Sequence, residues 1–319
     1  MTYVKIRPIR LLVLLAALSL GATACGDDGG GGGGGDGALS GATLAVGSKE
    51  FNEQLLLGQI AIKALEDAGA EVSDETGIQG TDNTRAALTS GEIDLYWEYT
   101  GTGWTTHLEH AAGEAPTDPA ELATKVAEED AANDVAWLDP AGANNTYGIA
   151  LAADKADELG ISTLSDYAEL ANSDPEAATL CAAAEFLDRE DGWPGVEEAY
   201  AFDLPDAQIS EVDVNVVYAR LPKGDPCVFG EIFQTDGRII GNDLTVLEDD
   251  KSFFVKYNIA MTVRQETLDE YPEIEEVLNP ISEKLSNEKM TELNARVDVD
   301  GELPEDVATD FLEEEGLIG

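Results

Sequence analysis

The chain has 319 residues, 43% of them hydrophobic, with 65 Asp and Glu against 18 Lys and Arg and a formal net charge of −47. That supplies a sizeable core for one or two domains, and the charge argues against nucleic acid, whose phosphates need a basic footprint. The apolar residues fall in periodic runs, unlike those of a disordered acidic chain. So acidic a folded protein repels itself at low ionic strength and is relieved when salt shortens the screening length, so a salt-rich medium is expected.

Lys5, Arg7 and Arg10 precede LLVLLAALSL, a run too short to span a bilayer comfortably, and GATAC ends at Cys25. Residues 1–24 therefore read as an export signal. Small residues before a cysteine resemble the lipobox of bacterial lipoproteins, although Ala22 stands where Leu is usual. The implied product carries a lipid on Cys25 at the outer face of the cell membrane. Ordinary cleavage that leaves a free Cys25 is the alternative. Residues 25–41, with the run GGGGGGG, read as a flexible tether, since no strand–helix frame makes them a phosphate loop.

From Ala42 onward strands and helices alternate. TLAVG reads as a strand, NEQLLLGQIAIKALEDAG as an amphipathic helix closed by Gly69, and TDNTRAALTSG as a second helix ending at Gly91. IDLYWEY is a strand, DPAELATKVAEEDAA a helix, and VAWLDP and TYGIALAAD are strands. STLSDYAELANS, GVEEAYAF and DVNVVYARL read as helices, separated by the short strands that hold Cys181 and Cys227. These two cysteines either pair as a disulfide, which an exported protein can keep, or stay as buried thiols. LTVLEDD and KYNIAMTV are strands, and the chain after Arg264 is helical. The alternation predicts an α/β protein with mainly parallel sheets. AGANNTY and EDDKS read as two crossings between lobes, so lobe 1 takes residues 42–143 and 252–319 and lobe 2 takes 144–251.

Ligands in such sheets sit beyond the carboxyl ends of strands. EIDLYWEYTGTGW concentrates aromatics at one such end. Tyr96 and Trp97 read as packing there, with Tyr99 facing a site. His107 and His110 with Glu109 or Glu114 make a poor metal set, because no third His and no Cys lies near. No nucleophile elbow, P-loop or Cys/His pairing appears, so neither an enzyme nor a cofactor is expected.

VGSKEFNEQLLLGQI, GTDNTRAAL, GEIDLYWEYTGTGW, NNTYGIAL, FLDREDGWPG, VVYARL, FQTDGRI and LEDDK occur in this order. Together they resemble the substrate-binding proteins of ABC transporters that import glycine betaine, choline and related osmoprotectants. The resemblance implies a two-lobed periplasmic-binding-protein fold of type II, with a ligand cleft that closes by a hinge. It implies a monomer that delivers its ligand to a membrane permease. It also implies an aromatic cage for a quaternary ammonium, carried by Tyr99, Tyr147, Tyr218 and Phe233, the last standing where relatives have Tyr. The ligand carboxylate falls to Lys49, Thr81 and Arg189, and Asn145 stands beside the cage. Ring faces suit a trimethylammonium, which has no N–H to donate; Lys49 and Arg189 suit a carboxylate and so favour a betaine over choline.

Overall fold

The computed structural model describes residues 37–189 and 191–319. The expected signal, Cys25 and most of the tether lie outside the described residues. Ten strands form the frame: β1 (Thr43–Lys49), β2 (Glu71–Ile78), β3 (Leu95–Tyr99), β4 (Val135–Trp137), β5 (Tyr147–Ala152), β6 (Leu180–Ala182), β7 (Ile209–Glu211), β8 (Phe229–Phe233), β9 (Leu244–Val246) and β10 (Ile259–Arg264). They assemble into two five-stranded sheets, β2-β1-β3-β10-β4 and β7-β6-β8-β5-β9.

Each element follows from its local sequence. Leu56, Leu57, Ile60, Ala61, Ala64 and Leu65 recur at helical spacing, so the helix Asn52–Asp67 buries one stripe in the core of the first sheet. Gly91 ends the helix Thr81–Ser90 in a left-handed conformation (φ +79°). Every residue of β3 is buried, with Trp97 in the main core and Tyr96 in a smaller cluster beside it.

The sheets correct one expectation. They are mixed, not mainly parallel: β3–β10, β10–β4, β5–β8 and β5–β9 pair antiparallel, while β1–β2, β1–β3, β6–β7 and β6–β8 pair parallel. In the first sheet the cause is β10, which returns from the second sheet and runs against β3 and β4; in the second it is β5, which runs against both β8 and β9. Cys181 lies in β6 and Cys227 just before β8, two adjacent strands. The structure joins them in a disulfide with Cα atoms 5.6 Å apart.

The chain passes between the sheets twice, side by side. Asn144 forms a bridge with Asn258, the Asn145 N–H donates to the Tyr257 carbonyl (3.1 Å), and the Thr146 hydroxyl donates to the Val255 carbonyl (2.7 Å).

Candidate functional site: an aromatic cavity between the sheets

A cavity of about 260 Å³ lies between the two sheets beside the crossings. Four aromatic residues line it: Tyr99, Tyr147, Phe233 and Tyr257. Tyr99 is the last residue of β3. Tyr147 opens β5 and pairs directly with Phe233, the last residue of β8, so their rings share one sheet face with centroids 5.3 Å apart. Tyr257 comes from the second crossing, and its ring lies over Gly101, where a Cβ would fall within 2.7 Å of it. That contact explains the glycine that follows Tyr99-Thr100: a side chain there would push the fourth ring out.

The polar lining is Thr81, Thr102, Thr105, Thr106, Asn145, Thr146 and Arg189. Arg189 is held above the Tyr147 ring, 6.0 Å from its centroid. Its Nε and Nη2 donate to Asp191 (2.7 and 2.5 Å) and its Nη1 to Glu185 (3.0 Å). These bonds use three of the five guanidinium N–H groups.

Thr81, Tyr99, Asn145, Tyr147, Arg189 and Phe233, all singled out in the sequence, meet at this cavity. Lys49 and Tyr218 do not line it. Lys49 is 4% exposed, with its Nζ 2.5 Å from Glu98 Oε1 and 5.2 Å from the centroid of Tyr99. It neutralises a buried carboxylate behind the ring, because the end of β1 runs beside β3. Tyr218 is 1% exposed; its hydroxyl accepts the Phe233 N–H (2.9 Å), and the Arg238 guanidinium lies 3.9 Å from its ring centroid. It holds Phe233 from behind. The sequence reading missed Tyr257, which the strand KYNIAMTV was expected to contain; the strand starts at Ile259 and leaves Tyr257 in the crossing. It also missed Glu53, which looks like an ordinary first-turn helix acid. His107 and His110 serve Glu98 (3.0 Å) and Glu129 (2.7 Å) separately, and no cluster suited to a metal occurs among the described residues.

Among the described residues, three carboxylates are buried around the cavity. Burial pushes Glu98 up, but Lys49 and His107 outweigh it and hold the carboxyl at about 2. The Tyr96 hydroxyl and the Tyr99 N–H add hydrogen bonds of 2.9 Å each. Glu231, 2% exposed on β8, accepts the Ala183 N–H (2.7 Å); burial and the charge of Glu185 raise it to about 7. Glu53 is likewise raised by burial, against hydrogen bonds from Thr235, Tyr99, Asn294 and Asn145.

Two mixed sheets with a ligand-sized cavity at their junction define a solute-binding protein of the type II periplasmic class. The chain belongs to the family described as the substrate binding domain of ABC-type glycine betaine transport systems, which matches residues 42–314. This is a family of solute-binding transport proteins, not of enzymes. Among its relatives is the glycine-betaine-binding protein of Pseudomonas aeruginosa, 36% identical over 88% of this chain and 91% of that one. The ergothioneine transport permease/ergothioneine binding protein EgtU of Helicobacter pylori is 33% identical over 88% of this chain, which spans 49% of that longer protein. The solved apo structure of YehZ from Escherichia coli superposes with a TM-score of 0.77 at 31% identity, covering 86% of this chain and 99% of that one.

Proposed function

We propose that this protein captures a quaternary-ammonium osmolyte of the betaine class outside the cell and delivers it to an ABC permease. The observation that carries the reading is the convergence of Tyr99, Tyr147, Phe233 and Tyr257 on one cavity. A trimethylammonium is a large, weakly hydrated cation, and each good ring contact supplies about 0.5–2 kcal/mol. The ligand's carboxylate is assigned to the Arg189 guanidinium, helped by the threonine hydroxyls. With Lys49 already paired to Glu98, Arg189 is the cation that favours a betaine over choline. The working form is a monomer held by a lipid on Cys25, with lobes of residues 42–143 plus 252–319 and 144–251. Its acidic surface suits a salt-rich medium. Choline, carnitine or an amino acid in the same cleft is the alternative.

Calorimetric titration of the protein with glycine betaine, choline, carnitine, ergothioneine and proline tests the reading. A trimethylammonium compound should bind, and those with a carboxylate should bind more tightly than choline. A response to proline alone would overturn the cage.

A further inference from the structure

Glu53 sits in the first turn of the helix Asn52–Asp67 and is 6% exposed. Its Oε1 accepts the Tyr99 hydroxyl (2.7 Å) and the Asn145 amide (2.9 Å). Its Oε2 accepts the Thr235 hydroxyl (2.5 Å) and the Asn294 amide (2.7 Å). Both lone-pair sites of each oxygen are therefore filled. The donors come from separate parts of the fold. Tyr99 ends a strand of the first sheet, and Asn145 lies in a crossing. Thr235 follows β8 of the second sheet, and Asn294 belongs to the helix Asn287–Asp298, which packs on the first. The Asn294 amide also donates to the Thr235 carbonyl (2.7 Å). Close by, Gly237 approaches the same helix so nearly that a Cβ would lie 2.3 Å from the Ala295 nitrogen.

A carboxylate buried without a paired cation is unfavourable unless its oxygens are fully hydrogen-bonded. Among the described residues no Lys, Arg or His bonds to Glu53. The donors that satisfy it are all present only when the two sides of the cleft are together and in this register. A closure shifted by a few ångströms would bury the charge with donors missing.

We propose that the Glu53 carboxylate is a clasp: it holds the two sides of the cleft together in one register and, in the same contact, fixes the hydroxyl of Tyr99 and so one wall of the cavity. Glu53 is a positioning residue. Its effect on ligand affinity rests on the function proposed above, but its effect on closure does not.

The test compares wild type with Glu53→Gln and Thr235→Val. Gln turns an NH₂ towards groups that are themselves donors, and Val removes only the donor from the second sheet. In ligand-free protein, Glu53→Gln should enlarge the radius of gyration by small-angle scattering. Amide exchange should quicken at least tenfold at residues 234–238 and 291–295, with β1, β3, β5 and β8 unchanged. Thr235→Val should move both readouts the same way by less. Glycine betaine, as probe, should bind Glu53→Gln at least tenfold more weakly. Wild-type scattering and wild-type exchange in both variants would overturn the clasp. If Glu53→Gln fails to fold, Thr235→Val decides alone. If glycine betaine fails to bind wild type, the cage reading suffers and the ligand-free measurements still decide the clasp.

Discussion

Behind Tyr99, on the first sheet, Glu98 is fully buried and meets Lys49, His107, the Tyr96 hydroxyl and a backbone N–H. Behind the Tyr147–Phe233 pair, on the second sheet, Glu231 is almost as buried and receives the Ala183 N–H, with Glu185 as a charged neighbour. The first carboxyl is held at about 2 and the second is pushed up to about 7. Burial in both places thus gives opposite outcomes, and the partners decide which. One wall of the cavity rests on a permanently ionised network. The other rests on a group that titrates near neutrality.

Removing a partner from the Glu98 network should break this contrast with the largest effect. Lys49→Met removes the principal charge partner of a buried carboxylate and should destabilise by about 3–5 kcal/mol, read from urea unfolding at pH 7. Because the folded value of Glu98 lies below the unfolded one, its stabilisation is present above about 4.5 and lost as pH falls towards about 2. Lys49→Met should flatten that acid limb; an unchanged limb would assign it to other groups.

Glu231→Gln tests the other wall, with the opposite sign. Its folded value lies above the unfolded one, so the fold holds the extra proton between about 4.5 and about 7 and loses stability as pH rises through that window. The Gln variant should gain about 2–3 kcal/mol at pH 8 and nothing at pH 4.5. Equal stability of variant and wild type at both values would remove Glu231 from the comparison.

For ligand binding, the contrast is between a ring in the wall and a ring behind it. Tyr257→Ala should weaken binding of a quaternary ammonium at least about tenfold, near 1.4 kcal/mol. Tyr218→Ala should act more weakly, through Phe233. Equal losses in calorimetry would erase the distinction. The smallest effect is global: unfolding midpoints should rise from dilute buffer to molar salt as the surface charges are screened.

The strand–helix order was readable because its periodicities are strong, as in the helix Asn52–Asp67 and in TYGIALAAD. Tyr99 was readable because it ends an aromatic strand, and Thr81, Tyr147 and Phe233 through the ordered motifs of the family resemblance. β2 was not: EVSDETGI is an exposed edge strand with no apolar alternation. The environment of Lys49 depends on Glu98, 49 residues away in the chain, and no local pattern announces that pairing. Tyr257 joins the cavity because Gly101 leaves room for its ring, a fact of three-dimensional approach. Tyr218 lies on a helix whose apolar face looks the same whether it lines a cavity or supports one.

The paired crossings carry a last consequence. Asn145 and Tyr257, both in contact with the cavity, belong to the two strips of chain that join the halves, and they are bonded to each other through the backbone. If the halves swing on these strips, an occupant of the proposed cage would press on the pivot itself, where the lever arm is shortest. A substitution there that alters fit must also alter swing, so selectivity and mechanical response cannot be tuned independently at these two positions.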